Sequence, residues 1–473
     1  MSVLKKKNIS FARLIKTDII IFNTDKEKMF INAKSYSGKY GTDENIGDII
    51  HVQISVNNSN NPSKVFELSD NPPNTFELSD SQKNKEIIFL IDISGSMTDS
   101  LKSVKSSLLA FRNAILNKSH IEMELLTELE RDELIRKINI RIITFSNDAK
   151  EVWSNSSSEM FEETILALNC EAMTNMGDAI KLAFLKVNEK RFTWIIAMTD
   201  GNSNKGPCKT ANSFSRLINE KTNNVKIITL GYGNSFDPEV LNRVGSFSYI
   251  ENSEMIPIVI GNLAEEFITS IGFNCTIEVP NVFPNLDLDD NTIISPDTSE
   301  IEKEKIIIGE KNVGALCCDK KYDYVFLTNS IEKHKSVSVN YIDIVSGDEI
   351  TDWLPIIHTN TEPPEELIKL YFRDESKRLI YRLYRAIQKN NVVNEIRTIN
   401  NIIKNWDGIS EEYKEDVMKL IEIISNNKNN ENMATTLNYA VGNGYSTPLS
   451  TACTNLTLTS AGYYMTSPAI NEY

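Results

Sequence analysis

Two aspartates and three hydroxyl-bearing residues of this 473-residue chain are spaced as ligands for one hard cation. Asp92, Ser94 and Ser96 stand at alternate positions directly after the apolar run Ile87-Ile88-Phe89-Leu90-Ile91. A carboxylate and two hydroxyls aimed from one tight turn form an all-oxygen donor set, which suits a hard divalent cation such as Mg²⁺. Asp200, followed by Gly201, ends a second apolar run, Trp194-Ile195-Ile196-Ala197-Met198-Thr199, and Thr174 lies in a polar loop shortly before Gly177. Two carboxylates about 4 Å apart repel by roughly 4 kcal/mol at an effective dielectric of about 20. A divalent cation removes that repulsion. The neutral hydroxyls of Ser94, Ser96 and Thr174 then leave the ion electrophilic and short of one ligand, which a carboxylate from a partner protein would supply.

These residues meet only if the backbone carries them to one edge. The apolar runs before Asp92 and Asp200 read as strands buried on both faces. Between and after them the pattern alternates strand and helix. Leu101, Val104, Leu108, Phe111 and Ile115 mark one helical face, and residues 118–138 read as a charged surface helix. Strands are expected at 140–145 and 225–230, with a short edge strand at 151–153. Helices are expected near 159–168, after the loop 170–180, and near 210–221. This is the pattern of an α/β doubly wound, Rossmann-like domain over 85–271, in which ligands gather at the carboxyl ends of the strands.

The flanks differ in character. Residues 272–358 carry short alternating segments separated by Pro, Asn, Asp and Gly, among them 276–279, 305–308 and 324–327, which is a β-sandwich signature. Such a sandwich is short of strands, and the alternating segment at 49–56 is expected to join it, so that the α/β domain is an insertion. A strand at 18–22 is the other feature of the N-terminal segment 1–84. Residues 57–84 read as a linker in which Phe-Glu-Leu-Ser-Asp occurs at 66–70 and again at 76–80, a local duplication. Residues 359–442 are helical, with a long helix to about Lys389 and Ser410 as N-cap of a helix over 411–426. The tail, 443–473, is rich in Ser and Thr. Arg373, Lys377, Arg378, Arg382 and Arg385 form a solvated basic face, and Glu171, Asp178 and Lys205 are solvated charges near the cation ligands.

Bulk properties exclude several function classes. Lys and Arg total 50 against 65 Asp and Glu, a net charge of −15, which argues against general nucleic-acid binding and against anionic membranes. No apolar run reaches the length of a membrane span, and the N-terminus has no signal-peptide core. The six cysteines show neither C-x-x-C pairs nor a disulfide framework, and Cys317-Cys318 reads as a buried strand end. Reduced thiols place the chain inside the cell, in the cytoplasm. Four scattered histidines give no zinc pattern.

Asp92-x-Ser94-x-Ser96, Thr174 ahead of Gly177, and Asp200-Gly201, in that order on a βα framework, resemble the von Willebrand factor A (VWA) domain with its metal-ion-dependent adhesion site. The resemblance implies that Asp92, Ser94, Ser96, Thr174 and Asp200 bind Mg²⁺ or Mn²⁺, and that a Glu or Asp of a protein partner completes the shell. A strand before the domain, a β-rich region after it and terminal helices are also similar to VWA proteins with a Vwaint-type C-terminal region, the layout of plant wavy-growth ubiquitin ligases. The Cys/His spacing of their RING is missing here, so ligase activity is not implied. An enzyme of the haloacid-dehalogenase phosphatase type would need an acid two residues after Asp92, where this chain has Ser94, so no catalytic residue is assigned. A structural scaffold whose metal only rigidifies the fold is the remaining alternative.

Overall fold

The computed structural model describes residues 20–24, 27–42, 45–57, 66–69, 75–117, 127–201, 203–232, 237–250, 255–280, 308–318, 320–328, 336–359, 361–388 and 392–426. The chain opens with β1 (Ile20–Thr24), β2 (Glu27–Thr42) and β3 (Asn45–Asn57), an antiparallel series. The repeat segments form β4 (Phe66–Ser69) and β5 (Thr75–Leu78), and α1 (Asp80–Lys83) follows. The reading of this stretch as a linker is corrected in one respect: the two copies pair with each other, Phe66 opposite Leu78 and Leu68 opposite Phe76. Alternation of Phe and Leu with polar residues is enough for a two-stranded ladder, even where the surrounding composition is that of a loop.

The central region comprises β6 (Lys85–Asp92), α2 (Leu101–Asn117), α3 (Glu128–Lys137), β7 (Ile140–Phe145), β8 (Ala149–Ser154), α4 (Phe161–Leu166), α5 (Met176–Lys186), β9 (Phe192–Thr199), α6 (Ala211–Ile218), β10 (Val225–Tyr232), α7 (Pro238–Val244), β11 (Ser246–Ile250) and α8 (Ile256–Thr269). Its sheet runs β11-β10-β9-β6-β7-β8, parallel throughout except for the antiparallel edge β8. Every residue of β6 and β9 is buried, as strands covered on both faces must be. Leu101, Val104, Leu108, Phe111 and Ile115 of α2 are all buried and share one core with α8, and α5, α6 and α7 cover the other face. β11 and α7 lie beyond the segments expected from the sequence. Ser-Phe-Ser-Tyr-Ile is short and half polar, so its strand character depends on pairing with β10. Of the expected helix at 118–138, residues 118–126 lie outside the described residues.

After α8 come β12 (Ser270–Pro280), β13 (Ile308–Cys317), β14 (Lys321–Thr328), β15 (Ser336–Asp343), β16 (Glu349–Pro355), β17 (Ile357–Thr359), α9 (Glu365–Gln388), α10 (Val392–Lys404) and α11 (Glu411–Asn426). β3 pairs antiparallel with β14, giving the sheet β1-β2-β3-β14 with β17 beside β2, and a second sheet runs β13-β12-β15-β16. Ile31, Ala33, Ile50, Val52, Ile54 and Val56 face Ile277, Val279, Leu316, Val337, Val339 and Leu354 across the space between the sheets. On the outer face of the first sheet, Tyr36, Ile49, Val325 and Leu327 pack against Phe372, Leu379, Leu383, Trp406 and Leu420 of the helical region. Ser410 stands before α11, and its hydroxyl accepts the Tyr413 amide at 3.4 Å. Of the basic run on α9, Arg382 pairs with Glu395. The tail from 427 and strand residues 18–19 and 305–307 lie outside the described residues.

The α/β domain is fastened where the chain enters and leaves it. Lys85, fully buried at the start of β6, donates from Nζ to the carbonyls of Phe267 and Ile268, each at 2.9 Å. Gln82 Nε2 donates to the same Ile268 carbonyl at 2.9 Å. A buried ammonium is costly unless paired, and here it meets the negative end of α8, where carbonyls lack helical partners. Nearby, Glu266 accepts from Trp194 Nε1 at 3.0 Å and pairs with Lys226. Burial alone would raise the Glu266 carboxyl, but Lys226 and Trp194 outweigh it and hold it below its ordinary value. A carboxylate lowered in this way contributes stability above its unfolded pKa and loses it as pH falls through the folded one. Glu266→Gln should therefore cost about 3 kcal/mol near pH 7, and the difference from wild type should shrink below pH ~4, read as urea midpoints across pH.

Candidate metal centre

Sheet order places the candidate ligands. β6 lies between β9 and β7, so the chain reverses its direction of travel across the sheet at β6 and β9, and a crevice opens at their carboxyl ends. Ile91 is registered with Met198, which sets Asp92 beside Thr199. After Asp92 the backbone turns through Ser94 into a 3₁₀ turn, Gly95–Met97, closed by the Met97 amide on the Ser94 carbonyl at 3.0 Å. The turn brings Ser94 Oγ and Ser96 Oγ to 3.0 Å from each other. Asp92 is fully buried, Ser94, Thr174 and Asp200 are buried, and Ser96 is exposed at the mouth.

Thr174 enters through its backbone. Its amide donates to Asn204 Oδ1 at 3.0 Å, and its carbonyl accepts the amides of Asn204 at 3.1 Å and Lys205 at 3.0 Å. The loop after Asp200 thus grips the loop that carries Thr174. A second tie, Glu171 N–H to the Ile93 carbonyl at 2.6 Å, fixes the same loop to the residue after Asp92. Gly201 and Gly206 make this possible. Gly201 has φ of +76°, and a Cβ there would meet Leu241 at 2.9 Å; at Gly206, φ +84°, a Cβ would lie 2.0 Å from Asn175 Oδ1.

Thr199 was not singled out from the sequence. Its hydroxyl donates to Asp92 Oδ2 at 2.5 Å and accepts the Gly201 amide at 2.9 Å, so one side chain orients both the acid and the turn after Asp200. Asp92 Oδ1 accepts the Ser94 amide at 2.9 Å. The signal available was position alone: Thr199 is the last residue of a buried strand and immediately precedes an Asp-Gly pair. Asn204 was likewise missed, since nothing in a Gly-Asn-Ser-Asn loop marks which amide turns inward.

The electrostatics fit a cation. Burial pushes the Asp92 carboxyl up to about 6, and the charge of Asp200 adds to the rise, while the hydrogen bonds from Thr199 and Ser94 oppose it. Because the folded value lies above the unfolded one, this group's contribution to stability is lost as pH rises through about 6. The protein's own groups therefore solvate this anion poorly. Adjacent ligand oxygens around an octahedral Mg²⁺, with Mg–O near 2.1 Å, lie about 3 Å apart, which is the separation of the two serine hydroxyls. Among the described residues no group of three or more His, Cys, Asp and Glu is arranged to hold a metal ion. Of the rim charges, Asp178 Oδ2 accepts from Asn175 Nδ2 at 2.6 Å, Glu171 accepts from the Ser146 hydroxyl, and Lys205 lies 3.8 Å from exposed Asp148. Asp178 and Glu171 are thus engaged locally, whereas Lys205 and Asp148 remain largely in solvent. Thr199→Val should weaken Mn²⁺ affinity by roughly 10–100-fold in calorimetric titration while the fold persists, because it removes an orienting contact and not a ligand.

Comparison with known proteins identifies the domain. Residues 86–254 match the von Willebrand factor type A domain family, and a second family of that description matches 391–463, whose described part is α10 and α11. No curated protein matches the sequence. A von Willebrand factor type A protein from Catenulispora acidiphila superposes with a TM-score of 0.51 at 13% identity, over 86% of this chain and 92% of that one. The ArnB paralog VWA2 from Sulfolobus acidocaldarius gives 0.46 at 16% identity, over 88% and 98%. Proximal thread matrix protein 1 from the mussel byssus, with a zinc-occupied MIDAS motif, gives 0.30 at 17% identity, over 42% and 49%. At these identities the first likeness is one of fold, and it spans the flanking sheets and helices as well as the central domain. With its α/β domain at 86–254 and this sheet order, the chain is a VWA domain protein.

Proposed function

We propose that this protein is a non-enzymatic, Mg²⁺-dependent protein–protein interaction module. VWA domains often mediate protein interactions and often bind a divalent metal at this motif. Asp92, Ser94, Ser96, Thr174 and Asp200 would hold the ion, with Mn²⁺ as a substitute. A Glu or Asp side chain of a partner would complete its shell. The observation that carries the reading is the pair of hydroxyls 3.0 Å apart beside a buried carboxylate at the crevice of the sheet. When bound, the cation supplies a site whose charge its mostly neutral ligands leave largely uncancelled, which is what a carboxylate seeks. Thr199 and the Ser94 amide keep Asp92 oriented, and the hydrogen bonds between Thr174 and Asn204 tie the Thr174 loop to the loop after Asp200.

The β-sandwich and α9–α11 serve as the rigid mount of this domain, in the manner of a Vwaint-type region. The five described cysteines are free thiols, which supports a reducing, cytoplasmic setting. Among the described residues no helix is long and apolar enough to cross a membrane. One observation favours a second reading, a scaffold in which metal only rigidifies the fold. Both Asp92 oxygens already accept protein hydrogen bonds.

The two readings part in a pull-down from the native source. On the interaction reading, EDTA or Asp92→Ala releases the partner while circular dichroism shows the chain still folded. A partner retained through both treatments rejects this reading and selects the scaffold.

A further inference from the structure

The outer face of the first sandwich sheet is apolar only where helices cover it. Tyr36, Ile49, Val325 and Leu327 lie under α9–α11. Two residues further along each strand the same face turns polar. Asn32, Gln53 and Asp323 stand opposite one another on three adjacent strands, with Lys34 opposite His51 in the next row. The first turns of α9 overhang this polar patch without filling it, and the cavity between them holds about 480 Å³, the volume of a small ligand. Leu367 and Leu370 of α9 form its apolar wall, with exposed Pro364 and Glu366 beside them.

Most of the polar floor is already matched. Asp323 Oδ1 is held by His51 Nε2 at 2.8 Å and Gln53 Nε2 at 2.6 Å, and Lys321 lies 3.8 Å from Oδ2. Burial would raise the Asp323 carboxyl, but these contacts keep it below its ordinary value. Two groups are left over. Asn32 Oδ1 is buried with no hydrogen-bond partner, which native interiors rarely tolerate. Lys34, half-buried on the same strand and the same face, makes no ion pair among the described residues. One group asks for a donated hydrogen and the other for a negative charge, with an apolar wall opposite.

We propose that this cleft binds a small carboxylic acid that carries an N–H beside its carboxylate and an apolar side chain. The carboxylate pairs with Lys34, the N–H donates to Asn32 Oδ1, and the side chain lies against Leu367 and Leu370. A free amino acid and the C-terminal residue of a peptide share this chemistry. The site lies on the sandwich and is independent of the metal centre.

Calorimetric titration of the full-length protein tests it, with leucine, N-acetyl-leucine and leucine amide as probes. Leucine or N-acetyl-leucine should bind, and leucine amide, which lacks the carboxylate, should not. Stronger binding of leucine assigns a free amino acid, and stronger binding of N-acetyl-leucine assigns a chain terminus. Lys34→Met should weaken the better acid by at least about tenfold with an unchanged melting curve, and Asn32→Leu, which removes the acceptor for the N–H, should weaken it as well. Asp92→Ala should leave it unaltered. Equal binding of the amide, indifference to Lys34→Met, or no binding of either acid up to about 10 mM overturns the proposal.

Discussion

Asp92 sits at the end of a strand that is buried along its whole length, and a carboxylate in that position must be solvated by something other than water. Two protein donors reach it, the Ser94 amide and the Thr199 hydroxyl. They do not suffice to bring its pKa back to the ordinary range, because burial outweighs them and Asp200 adds a second charge of the same sign. Much of the domain's architecture can be understood from this demand. The parallel sheet with helices on both faces drives β6 and β9 into the interior. The reversal of strand order opens a crevice at their ends, and the tight glycine turns keep the polar loops pressed around it.

The same buried strands made this part of the protein readable. Uninterrupted apolar runs ending in Asp are rare enough to identify β6 and β9, and the helical periodicity of Leu101 to Ile115 fixed the face of α2. Reading failed where structure comes from partners rather than from pattern. β2 is a 16-residue strand, yet its Lys, Ser, Gly and Asn residues hide the alternation of Ile31, Ala33 and Ser35. It is held by neighbours on both sides, β1 and β3, and its outer face lies toward α9–α11, helices that the sequence announces without showing that they dock on this sheet. β11 is legible only through its pairing with β10. In the site, the ligand types could be read because their chemistry is in the residue names. The roles of Thr199 and Asn204 could not, since an orienting hydroxyl or amide looks like any other loop residue until its geometry is known.

The contrast between the two polar regions is instructive. Around Asp92, the loops are cross-braced by backbone hydrogen bonds, so position is set by the main chain and a side-chain change alters chemistry more than shape. In the cleft beneath α9 the floor is a flat sheet whose side chains match one another in cross-strand rows. There the arrangement is set by register, and a shift of one residue would exchange the polar row for the apolar core.

The Lys85 and Gln82 bonds to the last turn of α8 have a bearing on how the chain folds. They join residues 183 and 186 apart in sequence. Until the central domain forms, β3 can find β12 only by closing a loop of more than two hundred residues, whereas afterwards the domain bridges most of that length and only the stretch between β3 and α1 remains to be closed. Shortening the loop about eightfold lowers the closure cost by roughly 2 kcal/mol. Assembly of the sandwich is therefore ordered in time behind the domain it carries, and the clasp converts a topologically distant pairing into a local one.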